Sequence, residues 1–538
     1  MAEQQTVTAN KAPQQAWRPK HNKWAIALTV TLATFMEILD TSIANVSLPH
    51  IAGSLAATQD QATWILTSYL VSNAVVLPTS AYFSSIVGRK RFYMICVALF
   101  GISSFLCGIA PSLPLLLLFR VLQGIGGGGL APSEQSILAD TFEPAKRGQA
   151  FALYGLAVVT APAIGPTLGG WITDNYDWRW IFFINIPVAL VSLFLTNRLV
   201  EDPPHVVEDV KKARRGGFRM DFLGFGLVAL AFGSLEVLLD KGQEDDWFGS
   251  HFIVLFFVLA VAGMAALLWW EIRAIRQKKR PILDLTLFKN RTFALSFLMM
   301  FVIGVVLYGT VVLIPLLLQN LMGYTAESAG MALSFGGIAT MCCMPIVGIL
   351  IGKVDARYLT AFGFLITAIA LFYTSGLTLQ MSFGYAAKLR VYQTLGLAFL
   401  FVPINTLSYT GVPMEKNNDV SGLINLARNI GGSAGTAIFT TMLARRSQVH
   451  QNFLSEHISH INPMLQPRLD GMAHQFALGG SSLVEASNQA IAQIYRAVQQ
   501  QAALLAYLDV IQFFAIAALC MLPLVFLMKK HVGGAMGH

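Results

Sequence analysis

Charge is what this chain has least of. Only 12% of its 538 residues are Asp, Glu, Lys or Arg, and 55% are hydrophobic, against roughly 25% charged in an ordinary soluble protein. So few charges cannot cover the water-facing surface of a chain this long, which excludes an array of soluble domains. Cysteine is scarce too. Cys96, Cys107, Cys342, Cys343 and Cys520 make an odd count of five, without metal-ligand spacing and all within apolar runs, so they are expected to pack as small apolar side chains, with no metal site. No P-loop and no H-E-x-x-H is present, no nucleophile elbow is expected, and no polar stretch is long enough for a nucleotide-binding domain. Those absences disfavour a membrane enzyme or sensor and ATP-driven transport, and no cofactor is expected. The polar first 22 residues lack the apolar core of a cleavable signal peptide, and the first apolar run is too long to be one. That run is expected to be retained.

What the chain has is long apolar runs. A bilayer core is spanned by about 20 apolar residues, and such runs fall near 24–48, 62–84, 92–110, 114–139, 149–171, 181–199, 222–240, 251–270, 292–319, 327–350, 358–378, 389–412, 422–444 and 507–528. The predicted fold is an all-α membrane protein of fourteen transmembrane helices, with both termini on one side. Placing the N-terminus in the cytoplasm puts 27 of the 37 Lys and Arg inside, 8 outside (Arg390 counted among them) and 2, Arg120 and Arg428, within spans. The bias follows the positive-inside rule, so the net charge of +8 needs no nucleic acid. A multi-pass inner-membrane protein with both termini cytoplasmic is the expectation.

Loop lengths group the spans as six, two and six. A cytoplasmic tail (1–22) leads into an N-terminal six-helix bundle (23–200). A charged linker (201–220) follows, in which Pro203 and Pro204 stop the preceding helix. An extra helix pair (221–270), a second basic linker (271–291), a C-terminal six-helix bundle (292–528) and a short tail (529–538) complete the chain. The stretch Pro78 to Arg91 resembles Pro345 to Arg357, a faint internal correspondence of the kind many transporters show, with the substrate site between halves. The one long loop, 445–506, faces outside and is rich in Gln, His, Asn and Ser. It is either a solvated loop, helical in its second half from Leu483, or a docking surface for a periplasmic partner.

An ionisable group at mid-membrane costs at least ~2.5 kcal/mol and is by default a functional-site candidate. Glu37 and Asp40, spaced i, i+3 in the first span, are expected to point together into the protein interior. Arg120, in the fourth span, needs a carboxylate or water. Asp40 or Glu37 is its candidate partner, with Glu134 and Asp140 later in the same span, unless Arg120 snorkels to the interface. It is followed by Gln123 and by the run Gly124 to Gly129, which permits close helix approach. Pro162, Gly165, Pro166, Gly169 and Gly170 disrupt the fifth span, which is tolerated only against neighbours or a cavity. Gly88, Arg89 and Lys90 form a tight basic turn, and Arg428 lies in the thirteenth span beside Gly431, Gly432 and Gly435. Glu236, in the extra pair, is weighted toward structure because that pair lies outside the core bundle.

These features in this order resemble the major facilitator superfamily, and within it the fourteen-span drug:proton antiporter branch. Leu39-Asp40-Thr41 through Ala44-Asn45-Val46-Ser47-Leu48-Pro49 is similar to the branch's first-helix motif. Arg120 with Gln123-Gly124, and Pro162 through Gly170, are similar to its fourth- and fifth-helix motifs. Trp178-Arg179-Trp180 through Asn185-Ile-Pro187 also fits. The resemblance implies proton coupling at Asp40, Arg120 and Glu37, a hinge at the fifth-helix prolines and glycines, and a cytoplasmic gate at Gly88, Arg89 and Lys90. Candidates for substrate or coupling contacts are Glu134, Arg428, Gln123, Asn45 and Gln319. Where the family's gating loop carries Gly and Asp, this chain has Ala81 and Ser85, so the acidic partner of the charge relay is missing from that loop. EmrB-like multidrug exporters are similar in this respect, and they work with a membrane-fusion adaptor and an outer-membrane channel. The implied activity is export of amphipathic toxic compounds driven by the proton gradient. Export of one dedicated metabolite, such as a siderophore or fatty acid, is the alternative.

Overall fold

The computed structural model describes residues 17, 19–215, 220–277, 279–456, 458 and 465–530. The first half opens with α1 (Lys23–Ser54), whose amino end is capped by Asn22 accepting from Trp24 N at 2.9 Å. The next helix, α2 (Gln59–Val87), starts in a capping box in which Thr58 and Gln61 bond each other's backbone N–H. A tight reversal at Gly88, with φ +98°, leads into α3 (Arg89–Gly108). A Cβ at Gly88 would stand 2.7 Å from Asp202 Oδ2, so the turn accepts only glycine.

The fourth span, expected as one helix, is broken into α4 (Leu113–Gly127) and α5 (Leu130–Thr141). The break falls at Gly128 and Gly129, where the chain runs against its neighbours. A Cβ at Gly126 would stand 2.7 Å from Phe100 N, and one at Gly128 2.7 Å from Asn73 O. The fifth span is α6 (Arg147–Asn175), helical throughout despite Pro162 and Pro166. The sixth divides into α7 (Trp180–Phe183) and α8 (Asn185–Leu199). Within the linker, Pro204 begins the short helix α9 (Pro204–Arg215), since proline is tolerated in a first turn.

The extra pair is α10 (Phe222–Lys241) and α11 (His251–Arg276). The second half comprises α12 (Arg291–Asn320), α13 (Ala326–Leu350), α14 (Ala356–Thr374), α15 (Phe383–Ser408), α16 (Asn417–Glu456), α17 (Leu465–Leu478) and α18 (Leu483–Val525). Among the described residues, thirteen spans are long and apolar enough to cross a membrane by composition, α4 with α5 and α7 with α8 each counting as one. The fourteenth is α16. It carries Asp419, Arg428 and four glycines, yet Asn417 through Arg428 is almost wholly buried. A helix walled in by protein needs no apolar face toward lipid.

Both described ends lie on one face: Lys529 N donates to Thr292 Oγ1 at the start of α12, and Trp24 meets the Phe142 ring edge-on at 5.2 Å. On the opposite face the stretch expected as a loop, 445–506, is largely helical. α16 continues to Glu456, α17 follows, and α18 starts at Leu483. With 43 residues, α18 is about 64 Å long, twice a bilayer core. Arg446 Nε and His450 Nε2 both reach Asp509 Oδ2, at 2.5 and 2.8 Å, tying α16 to α18 where they leave the bundle.

The halves meet along two seams. In one, α6 lies against α13, and the close approach needs small residues: a Cβ on Gly148 would overlap Ile351, and one on Gly348 would press on Ala152. In the other, α2 faces α16, with Asn429 Nδ2 donating to Asn73 Oδ1 at 3.1 Å and Asn418 Nδ2 to Ser84 Oγ at 2.7 Å. In the extra pair, outside the two bundles as expected, α10 lies over this seam. Glu236 accepts from Ser433 of α16 at 2.5 Å, and Asp240 accepts from Thr67 of α2. Glu236 is thus a buried link to the second half.

Candidate functional site

Between the halves lies a cavity of about 160 Å³, lined by Glu37, Asn45, Tyr69 and Asn73 on one wall and Tyr308 and Arg428 on the other. A polar layer closes it toward the face carrying the chain ends. There Ser136 and Ser421 share a hydrogen bond at 2.6 Å, Asn425 Nδ2 donates to Gln135 Oε1 at 3.0 Å, and Gln135 Nε2 donates to Asn405 Oδ1 at 3.2 Å. Asn45 is exposed, so the cavity opens toward the other face.

Glu37 and Asp40 do not share this space. Glu37 is half-buried on the cavity wall, where its Oε1 accepts from Tyr69 OH and Asn73 Nδ2, both at 3.1 Å. Asp40 turns into the first half and is 2% exposed. Its Oδ2 accepts from Arg120 Nη1 at 2.6 Å, and its Oδ1 from Asn185 Nδ2 at 2.7 Å and Gln123 Nε2 at 2.9 Å. Three donors converge on one carboxylate, a set that fits its ionised, acceptor-only form.

Arg120 is fully buried. Beyond Asp40 it donates to Gln123 Oε1 at 2.7 Å and, through Nε, to Ile65 O at 3.1 Å. Its guanidinium lies over the Tyr69 ring at 4.5 Å and near Phe182 at 5.7 Å. Of the two carboxylates open to it from sequence, Arg120 pairs with Asp40, and it does not snorkel. Tyr69 joins the two sites: its hydroxyl is on Glu37 and its ring beneath Arg120.

The other candidates separate. Asn45 and Arg428 line the cavity, and Arg428 donates to Tyr154 OH. Gln123 belongs to the buried network. Glu134 is enclosed between α1 and α5, accepting from Thr31 at 2.5 Å, away from the cavity. Gln319, at the far end of α12, lies off the cavity as well.

In α6 the prolines work against α1. Pro166 lacks the N–H that Pro162 O would accept in a helix, and Ser42 Oγ donates to that oxygen at 3.4 Å. Gly165 lies against Ser42 and Gly169 against Ile43, whereas Gly170 faces open space. At the basic turn, Arg89 is buried and pairs with Asp140 at the end of α5, while Lys90 N donates to Asp202 Oδ1 at 2.9 Å. Acidic partners absent from the loop itself are thus supplied from elsewhere in the chain.

Ser104, Tyr69 and Asn73 are not singled out from sequence, and Asn185 enters there only as a member of the Trp178–Pro187 motif, without a role. The available signal was the cost of any polar group inside a span, which applies to Asn and Tyr as it does to Asp. The string Gly431-x-Ser433-x-Gly435 does match the letters of a nucleophile elbow, but it lies inside α16, where Ser433 donates to Glu236. A strand-to-helix turn is what that motif requires.

A model of the Major Facilitator Superfamily matches residues 30–436. The multidrug export protein EmrB of Escherichia coli K12 is 37% identical over 474 residues, covering 86% of this chain and 90% of that one. The fatty acid resistance protein FarB of Neisseria gonorrhoeae is 34% identical over 515 residues, covering 95% and 97%. Among solved structures, the proton:xylose symporter XylE shares the fold with a TM-score of 0.58 and 15% identity, over 95% of this chain and 97% of that one.

Proposed function

The chain belongs to the major facilitator superfamily, and on that premise we propose that it is a proton-coupled antiporter exporting amphipathic toxic compounds by alternating access. The observation that carries the reading is the Asp40–Arg120 pair, sealed inside the first half and joined through Tyr69 to Glu37 on the cavity wall. Protonating Asp40 removes the charge that holds Arg120, Gln123 and Asn185 together, and Arg120 is then free to exchange partners. Glu37 receives the proton from the cavity side. The helices carrying these groups (α1, α2, α4 and α8) shift with that exchange, and the polar layer between the halves opens as the outer mouth closes. Glu37, facing Arg428 across the cavity, attracts the cationic end of a substrate.

The test is dye efflux in everted vesicles with and without a proton uncoupler. Transport that persists unchanged with the uncoupler rejects antiport. We place the protein in the inner membrane with both termini cytoplasmic, as the pump of a tripartite assembly. The helical extension of α16, α17 and α18 beyond the bundle is the surface offered to a periplasmic adaptor. Deleting 450–500 is expected to abolish adaptor pull-down while efflux in vesicles remains.

Export of a fatty acid is the second reading. It is favoured by the likeness to FarB and by Arg428 on the cavity wall, whose cation suits a carboxylate. Competition of a long-chain fatty acid with dye efflux separates the two.

A further inference from the structure

The network around Asp40 has a counterpart in the second half. Gln393 Nε2 donates to Thr374 Oγ1 at 3.0 Å, as Gln123 Nε2 does to Ser104 Oγ at 3.3 Å, and 19 residues separate the partners in each case. Arg390 Nη1 donates to Thr310 Oγ1, as Arg120 Nη1 does to Asp40, with 80 residues between partners in both. Positions 40, 104, 120 and 123 therefore recur at 310, 374, 390 and 393, a constant step of 270. Gln135 and Asn405 are a further pair 270 apart, and they hydrogen-bond each other across the seam, which puts them on the axis relating the halves. The repeat is close in sequence too, Arg120-Val-Leu-Gln123 against Arg390-Val-Tyr-Gln393.

One member changes in kind. Where the first half has Asp40, the second has the neutral Thr310. Arg390, counted from sequence with the outside loops, is instead 4% exposed inside α15. Its bonds to Thr310 and Gln393 are long, 3.3 and 3.4 Å, its Nε has no hydrogen-bond partner, and no carboxylate pairs with it among the described residues. Gly336 makes room for it, since a Cβ there would stand 2.8 Å from Arg390 Cγ. An arginine does not shed its proton, and a buried charge without a counter-charge costs several kcal/mol.

We propose that Arg390 binds a small monovalent anion, chloride or a carboxylate group, in the position the first half fills with its own Asp40. The anion neutralises Arg390 and fixes α12 against α15. Thr310 lies between Tyr308 and Val311, both on the cavity wall, so the site positions that wall without contacting substrate.

The experiment is thermal unfolding of the purified full-length protein in chloride, acetate and gluconate at equal ionic strength, gluconate being the bulkiest of the three. The wild type is expected to melt higher in chloride than in gluconate. A rise in acetate as well assigns a carboxylate site, and a rise in chloride alone assigns an inorganic one. Arg390→Gln loses the increment. Thr310→Asp, which supplies the carboxylate from the chain, loses it too and melts in gluconate at least as high as the wild type. Equal melting of the wild type in all three salts overturns the proposal, as does an anion response retained by either variant. Melting does not depend on proton-driven efflux, so failure here leaves the exporter reading intact.

Discussion

Glu37 and Asp40 stand one turn apart on α1 and face different compartments, Glu37 the cavity between the halves and Asp40 the sealed interior of the first half. Three residues turn a helix through about 300°, and the remaining 60° is enough to send the second carboxylate past the cavity wall. Tyr69 bridges them, with its hydroxyl on one and its ring beneath the other's arginine. The two carboxylates accordingly differ in what their loss does.

Asp40→Asn keeps the side chain's size but leaves Arg120 buried without a counter-charge, a change of up to ~3–5 kcal/mol when one partner of a buried pair is removed. Uncoupler-sensitive efflux should fall to the level of empty vesicles, and the purified variant should melt lower. Wild-type efflux from this variant would show that Asp40 is a packing residue.

Glu37→Gln preserves the bonds from Tyr69 and Asn73 and removes only the negative charge on the cavity wall. Resistance to cationic amphipaths should drop at least about tenfold, the equivalent of ~1.4 kcal/mol, with a smaller loss for neutral compounds that reports its part in proton uptake. Minimum inhibitory concentrations for a charge-graded panel read this out. A uniform loss across the panel would place Glu37 in coupling alone.

Gly165→Ala and Gly170→Ala form a contrast within one helix. A Cβ at Gly165 would lie 2.5 Å from Ser42 Cβ, while one at Gly170 meets nothing within 4 Å. The first should cost ~1–3 kcal/mol by forcing α6 off α1 and should reduce efflux. The second should match the wild type in melting and transport. Equal behaviour of the pair would remove the α1–α6 contact as the reason for glycine at 165.

His205, on α9 outside the spans, has its imidazole pKa lowered from the usual 6.5, first by burial and then by the Arg89 guanidinium. Asp140 faces it at 3.9 Å, with Asp202, Asp209 and Glu415 nearby. A base held below its unfolded value is neutral in the folded state at pH 7. The unfolded chain binds the extra proton as pH falls below about 6.5, so the stability held above that value is lost on acidification. Melting measured at pH 7.5 and 5.5 should show a smaller acid-induced drop for His205→Gln than for the wild type.

Much of this was legible in the residues. Long apolar runs are local properties of the chain, and they set the helices and their number because lipid leaves the backbone no other way to satisfy its hydrogen bonds. The cost of charge in hydrocarbon marked Asp40, Arg120, Glu37 and Arg428 without any contact being known. Contacts are what the sequence could not supply. That Arg120 pairs with Asp40, that Asp202 serves the basic turn 112 residues away, and that α10 crosses a seam all depend on how distant helices lie together. Helix α16, already read as a span at 422–444, is nonetheless less apolar than the thirteen others found among the described residues. It is enclosed by protein, so its polar residues meet partners where those of a lipid-facing helix could not. Residue types set which groups had to find a partner. Only the packing of the two halves decided which partner each one found, and among the described residues it left Arg390 without an acidic one.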